Sequence, residues 1–127
     1  MTSSASESQL RETGSKFMPK FDDKGLISAV VVDHDTSDVL MVAFMDAEAL
    51  AATRETGLAH FHSRSRGKLW KKGETSGNVL RVQAMLVDCD QDAMVLRCKP
   101  EGPTCHTGAT SCFYRILEGE ELGRLPG

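Results

Sequence analysis

One stretch, Asp46 to Gly57, carries a full set of helix signals, and its isolation decides the fold class. Asp46 is a good N-cap, because a short carboxylate can accept from the free N–H groups of a first turn. Glu48 adds negative charge where the helix dipole favours it, and Met45 and Leu50 hold the two positions of a hydrophobic staple. Arg54 falls in the last turn, and Gly57 follows where a left-handed residue ends a helix. The signals predict a helix over about residues 47–56, read as scaffold rather than as chemistry.

The rest of the chain reads as strand and turn. Leu26 to Val32 is a β-branched run, Asp33 to Asp38 a turn whose side chains can bond their own backbone, and Val39 to Phe44 a second strand, so a hairpin is expected. Leu58 to Ser63 is short and strand-like. Val79 to Cys89 and Ala93 to Lys99 form a longer pair, Pro100 to Gly108 a loop, Cys112 to Leu117 a last strand, and Glu118 to Gly127 a polar tail. Residues 1–16 are rich in Ser, Thr and Glu and read as a disordered tail, leaving residues 17–127 as a single domain. The expected class is α+β and β-rich: a mostly antiparallel folded sheet or partial barrel with one clear helix, completed by dimerisation.

Two stretches carry the chemistry. Asp88-Cys89-Asp90-Gln91-Asp92 interleaves a thiol with carboxylates. Kept extended, it puts Asp88, Asp90 and Asp92 on one face and Cys89 on the other. Thiolate suits zinc, and carboxylate oxygen suits magnesium. Cys105-His106-Thr107-Gly108-Ala109-Thr110-Ser111-Cys112 adds two thiols and an imidazole. Three cysteines leave a tetrahedral zinc one ligand short, as a catalytic zinc requires, while His106 could instead close a structural site. Plainer readings stand beside these. An Asp-x-Asp-x-Asp run is often a solvated turn, and free cysteines are often small buried hydrophobes. A calcium loop is excluded, since Ala93 stands where Gly is needed and Lys99 where a bidentate Glu is needed. Cys98 belongs to a strand and reads as core.

Arg64 to Lys72 holds five basic residues in nine: Arg64, Arg66, Lys68, Lys71 and Lys72. Such a run is either a solvated face or a phosphate cradle. Trp70 within it either stacks on a ring or packs in the core. The formal charge of −3 over 127 residues argues against a general nucleic-acid binder. The absence of a long apolar run excludes a membrane span, and four cysteines without a secretory signal fit a reducing cytoplasm.

The Asp88–Asp92 run, with Gly102-Pro103-Thr104-Cys105-His106-Thr107-Gly108 and Ser111-Cys112-Phe113, resembles phosphoribosyl-AMP cyclohydrolases of histidine biosynthesis. Ser63-Arg64-Ser65-Arg66 and Trp70-Lys71-Lys72-Gly73-Glu74-Thr75-Ser76-Gly77-Asn78 are similar to that family's other signature. The resemblance runs from about Gly25 to about Leu117. It implies hydrolysis of the adenine N1–C6 bond of phosphoribosyl-AMP by a zinc-activated water. It also implies an intertwined homodimer whose zinc is shared, with Cys89 from one subunit and Cys105 and Cys112 from the other. Magnesium falls to Asp88, Asp90 and Asp92, and proton transfer to His106, with His60 and His62 as rival bases. Ser63, Arg64, Arg66, Trp70, Lys72, Glu74, Thr75 and Ser76 fall to the phosphorylated substrate. His62 departs from the pattern, standing where a bulkier aromatic residue is expected. The chain is too short to carry the pyrophosphohydrolase domain fused to some relatives, so one step is expected of it. The reading from another class is a non-catalytic zinc module that binds RNA through Arg64 to Lys72.

Overall fold

The computed structural model describes residues 6–125. Its centre is a four-stranded sheet built from β1 (Ile27–Asp33), β2 (Val39–Met45), β5 (Leu80–Val87) and β6 (Ala93–Pro100), in the order β2-β1-β6-β5. Between β2 and β5 the chain forms α2 (Ala47–Thr56) and the hairpin of β3 (His60–Ser63) and β4 (Lys68–Lys71). A second hairpin, β7 (Arg115–Glu118) with β8 (Glu121–Arg124), closes the chain, and α1 (Glu7–Thr13) opens it. All pairings are antiparallel except β1 with β6. The sheets are open, and the class is α+β and strand-rich as expected.

Alternation along β1 buries Ile27, Ala29 and Val31 on one face, and β6 buries Met94, Leu96 and Cys98 on the same side. Ala49, Leu50 and Thr53 of α2, with Phe61 of β3, cover that face. Each fully buried Leu or Phe contributes roughly 1.5–3 kcal/mol. The hairpin of β1 and β2 turns through Asp33, whose Oδ1 accepts from the N–H groups of Asp35 and Thr36. The caps of α2 fall where the sequence places them. Asp46 Oδ1 accepts from Ala49 N–H at 2.8 Å, and Gly57 takes φ 74° while donating to Thr53 O.

Five sequence expectations change. The stretch read as a disordered tail contains α1, capped by Ser6 and Gln9 in a reciprocal pair of bonds, while residues 1–5 lie outside the described residues. The basic run contains β4, which pairs His60–Ser63 register for register. The last strand begins at Arg115 rather than Cys112, and the polar tail holds β8, paired Glu118 to Glu121. Residues 88–92 are a turn between β5 and β6 and not an extended continuation, because Gln91 takes a left-handed φ of 59°.

Candidate active site

The turn after β5 converges the three carboxylates that an extended strand was expected to align. Ligand oxygens of Asp88, Asp90 and Asp92 all lie within 4.8 Å of one another. Asp88 Oδ1 accepts from the N–H groups of Asp92 and Ala93, at 3.0 and 3.1 Å. Loss of solvent pushes the Asp88 carboxyl up, but the Ala93 N–H and bonds from Asp92 and Asp90 outweigh it, so it sits below the ordinary value. Asp92 sits above it, chiefly through its side-chain bond to Asp90 and then that to Asp88. Crowded carboxylates of this kind are hard oxygen donors that a small divalent cation neutralises. Cys89 is exposed in the same turn.

The loop from Thr104 to Cys112 is folded on itself. Thr104 N–H donates to Thr110 O, Cys105 N–H to Ala109 O, and Gly108 N–H to Cys105 O. It is then fastened to the edge of β2, since Cys112 N–H donates to Leu40 O at 2.8 Å and Ser111 Oγ to Val39 O at 2.6 Å. The result brings the Cys105 and Cys112 thiols near enough for each to shift the other's titration. Thr107 Oγ1 donates to Cys105 Sγ at 3.0 Å. That hydroxyl and the Thr107 N–H hold the Cys105 thiol below its ordinary value, with Lys72 adding a smaller pull. Cys112 is pushed up, first by desolvation and then by the charge of Cys105. The two neighbouring thiols are thus shifted in opposite directions, Cys105 toward the thiolate and Cys112 away from it.

Among the described residues, the Asp trio is the only group of three or more His, Cys, Asp or Glu side chains that converges in this way. Cys89 therefore does not complete a ligand set with Cys105 and Cys112 inside one chain. Cys98 is fully buried in the core, and burial pushes its thiol up to about 12. Cys98→Ser is accordingly expected to leave metal stoichiometry unchanged while lowering stability by about 1–3 kcal/mol, the cost of a buried hydroxyl without a partner. Metal analysis and thermal melting of the purified variant check both parts.

The basic run meets the cysteine loop directly. Lys72 Nζ donates to Thr104 O at 2.6 Å. Glu101 N–H donates to Val79 O, and a Cβ at Gly102 would collide with the Asn78 side chain. The turn from Gly73 to Asn78 is equally tight, for a Cβ at Gly73 would lie 2.5 Å from Asn78 C. Glu74, Thr75 and Ser76 are exposed on it. Arg64 and Arg66 lie exposed at the tip of the β3–β4 hairpin, where Ser63 Oγ accepts from Arg66 N–H. Arg64 rests its guanidinium 4.1 Å from the centre of the Phe44 ring. Trp70 packs beside Phe61, ring centres 5.3 Å apart, which answers to its core reading.

Residues 41–114 match the family model described as phosphoribosyl-AMP cyclohydrolase. A phosphoribosyl-AMP cyclohydrolase of Erythrobacter litoralis is 65% identical over 108 residues, covering 85% of this chain and 86% of that protein. One from Sphingopyxis alaskensis is 61% identical, covering 87% of each chain, and one from Methanococcoides burtonii 57%, covering 82% of this chain and 86% of its own. The chain belongs to the phosphoribosyl-AMP cyclohydrolase family. The resemblance drawn from the two signatures is thereby borne out, and both signatures fall within the matched residues.

Of the three histidines weighed as bases for this family's reaction, His60 is 8% exposed and its Nδ1 lies 2.8 Å from Leu58 O, which commits the ring to the fold. His62 Nδ1 is 3.2 Å from Asp46 Oδ2, off the line that a hydrogen bond requires. His106 is exposed on the loop beside Cys105. Sequence reasoning missed Thr107 as a partner of the Cys105 sulfur, although a hydroxyl two residues from a thiol in a Gly-containing loop is a readable signal. It also missed the Lys72–Thr104 bond, for which the sequence offers no signal.

Proposed function

We propose that this chain catalyses the hydrolytic opening of the adenine ring of phosphoribosyl-AMP, at the N1–C6 bond, in histidine biosynthesis. The observation that supports this reading most is the Lys72–Thr104 bond, which joins the basic run to the thiol loop. It places residue types that hold phosphate beside residue types that hold zinc. The donor set fits that metal: Cys105 is predisposed to the thiolate form and Cys112 lies against it, with Cys89 of a second copy as the remaining thiol. Bound zinc would lower the pKa of a water to about 7 and so supply the nucleophile at neutral pH.

The chain's own residues do the rest. Ribosylation at N1 makes C6 electrophilic, and expulsion of N1 needs a proton. To His106, exposed beside Cys105, we assign the task of taking a proton from the attacking water and passing it to N1. Arg64 and Arg66 present forked donors to substrate phosphates, and Ser63, Glu74, Thr75 and Ser76 offer polar contacts along the same edge. Lys72 carries its charge toward the thiols as well as toward substrate. Asp88, Asp90 and Asp92 hold magnesium. Arg64→Ala should raise KM several-fold with kcat little changed, since a phosphate contact made equally in ground and transition states is uniform binding. Steady-state kinetics would reassign Arg64 to solvent if KM stayed unchanged.

The reaction itself is tested by incubating purified protein with phosphoribosyl-AMP and weighing the product. Ring opening gives a product heavier by one water that keeps the exocyclic nitrogen. Loss of ammonia would mean deamination at the same carbon, and no turnover with retained RNA binding would favour a non-catalytic module.

A further inference from the structure

Gln91 lies between two of the three converging carboxylates, yet its side chain points away from them and is only 7% exposed. All the hydrogen bonds of its side chain go to one segment. Nε2 donates to Arg11 O at 2.7 Å and to Lys16 O at 3.2 Å, and Oε1 accepts from Met18 N–H at 2.6 Å. Its main-chain carbonyl accepts from Lys20 N–H at 2.7 Å. The segment is itself closed, because Arg11 Nε donates to Met18 O at 2.8 Å. Among the described residues, no other member of the 88–92 turn is hydrogen-bonded to it.

Two features of the turn call for an external hold. Three carboxyl groups are crowded with ligand oxygens within 4.8 Å of one another, an arrangement that the turn must hold against their mutual repulsion wherever they carry charge. Gln91 also holds a φ of 59°, a region that a side chain of its size seldom occupies without support. A buried amide with both ends bonded supplies that support at the residue where the turn is least favourable.

We propose that Gln91 is a positioning residue for the Asp88–Asp92 turn, and that residues 11–20 act as a strap which fixes the carboxylates for a divalent cation. The proposal rests on the reading that the Asp trio holds magnesium. The strap tunes how tightly the cation is held, and the thiol loop does not depend on it.

The test is titration of magnesium chloride into the full-length, zinc-loaded protein, followed by calorimetry. Gln91→Gly removes the side chain and suits the left-handed backbone, so it isolates the strap from backbone strain. Loss of partners of this kind weakens metal binding by about 10–100-fold, and that loss is expected here with zinc content unchanged. Arg11→Ala, which opens the strap far from the turn, should weaken magnesium in the same direction by less. The double variant should be no weaker than Gln91→Gly alone, since both act through one connection. Unchanged magnesium affinity in Gln91→Gly, even with a lower melting temperature, would overturn the proposal, as would full additivity in the double variant. Asp90→Asn separates the two levels: wild-type magnesium affinity in that variant would overturn the metal reading on which the proposal stands.

Discussion

Replacing Cys105 by serine is expected to remove zinc and reduce ring opening to background. Cys105 is the sulfur whose surroundings favour the thiolate, through the Thr107 hydroxyl at 3.0 Å, the Thr107 N–H and the Lys72 charge. A serine hydroxyl stays protonated at neutral pH and is a hard donor, so it replaces neither the charge nor the softness. The loop should survive the change, because its fastenings are main-chain bonds at Thr104, Cys105 and Cys112 together with Ser111. Metal analysis should show zinc lost while circular dichroism stays near wild type. Cys89→Ser should behave alike, although Cys89 lies outside the thiol pair of its own chain. Unfolding the two inactive variants together and refolding them should then restore activity, since mixed dimers contain one intact site. Retained zinc in Cys105→Ser would break the assignment.

The second large effect is expected at His106. His106→Asn should lower kcat by roughly two to four orders of magnitude with zinc stoichiometry unchanged. Its exposure beside Cys105 leaves the imidazole free for solvent and substrate, unlike His60, which is buried against Leu58 O. Asparagine keeps polarity and approximate size but cannot exchange a proton near pH 7. Zinc loss in this variant would make His106 a ligand. Full activity would move the search to His62, whose Nδ1 faces Asp46.

The sequence announced elements whose signals are local. The helix over 47–56 was legible from Asp46 and Gly57 because caps are satisfied within a few residues, and the structure returns Ala47–Thr56. The hairpin of β1 and β2 was legible for the same reason, through the short polar side chains of its turn. What was not legible depends on partners far along the chain. α1 looked like tail because its composition is polar, and the segment after it is tied down by Gln91, about seventy to eighty positions away. β4 is the exception, since its partner β3 is only a hairpin away, and it was hidden because its basic side chains mask the strand pattern. The Asp trio was read as sharing one face of an extended strand, whereas a turn with Gln91 in the left-handed region gathers it. At the thiol loop the residue types were legible from spacing and resemblance, and the bond from Lys72 to Thr104 was not.

The apolar surface of the described chain is also informative. Phe113, Leu117 and Leu122 expose 52%, 69% and 54% of their surface, apolar area that the proposed second copy would cover. No helix of the described residues is long and apolar enough to cross a membrane.

Central to the proposed function is a thiol loop that acts as a catalytic metal centre rather than a structural one. The direct measurement is turnover of phosphoribosyl-AMP after chelation, with circular dichroism recorded on the same sample. The expected result is loss of ring opening with the fold retained, reversed by stoichiometric zinc. Unfolding on metal removal without any turnover before it, or turnover undiminished by complete zinc removal, would contradict it.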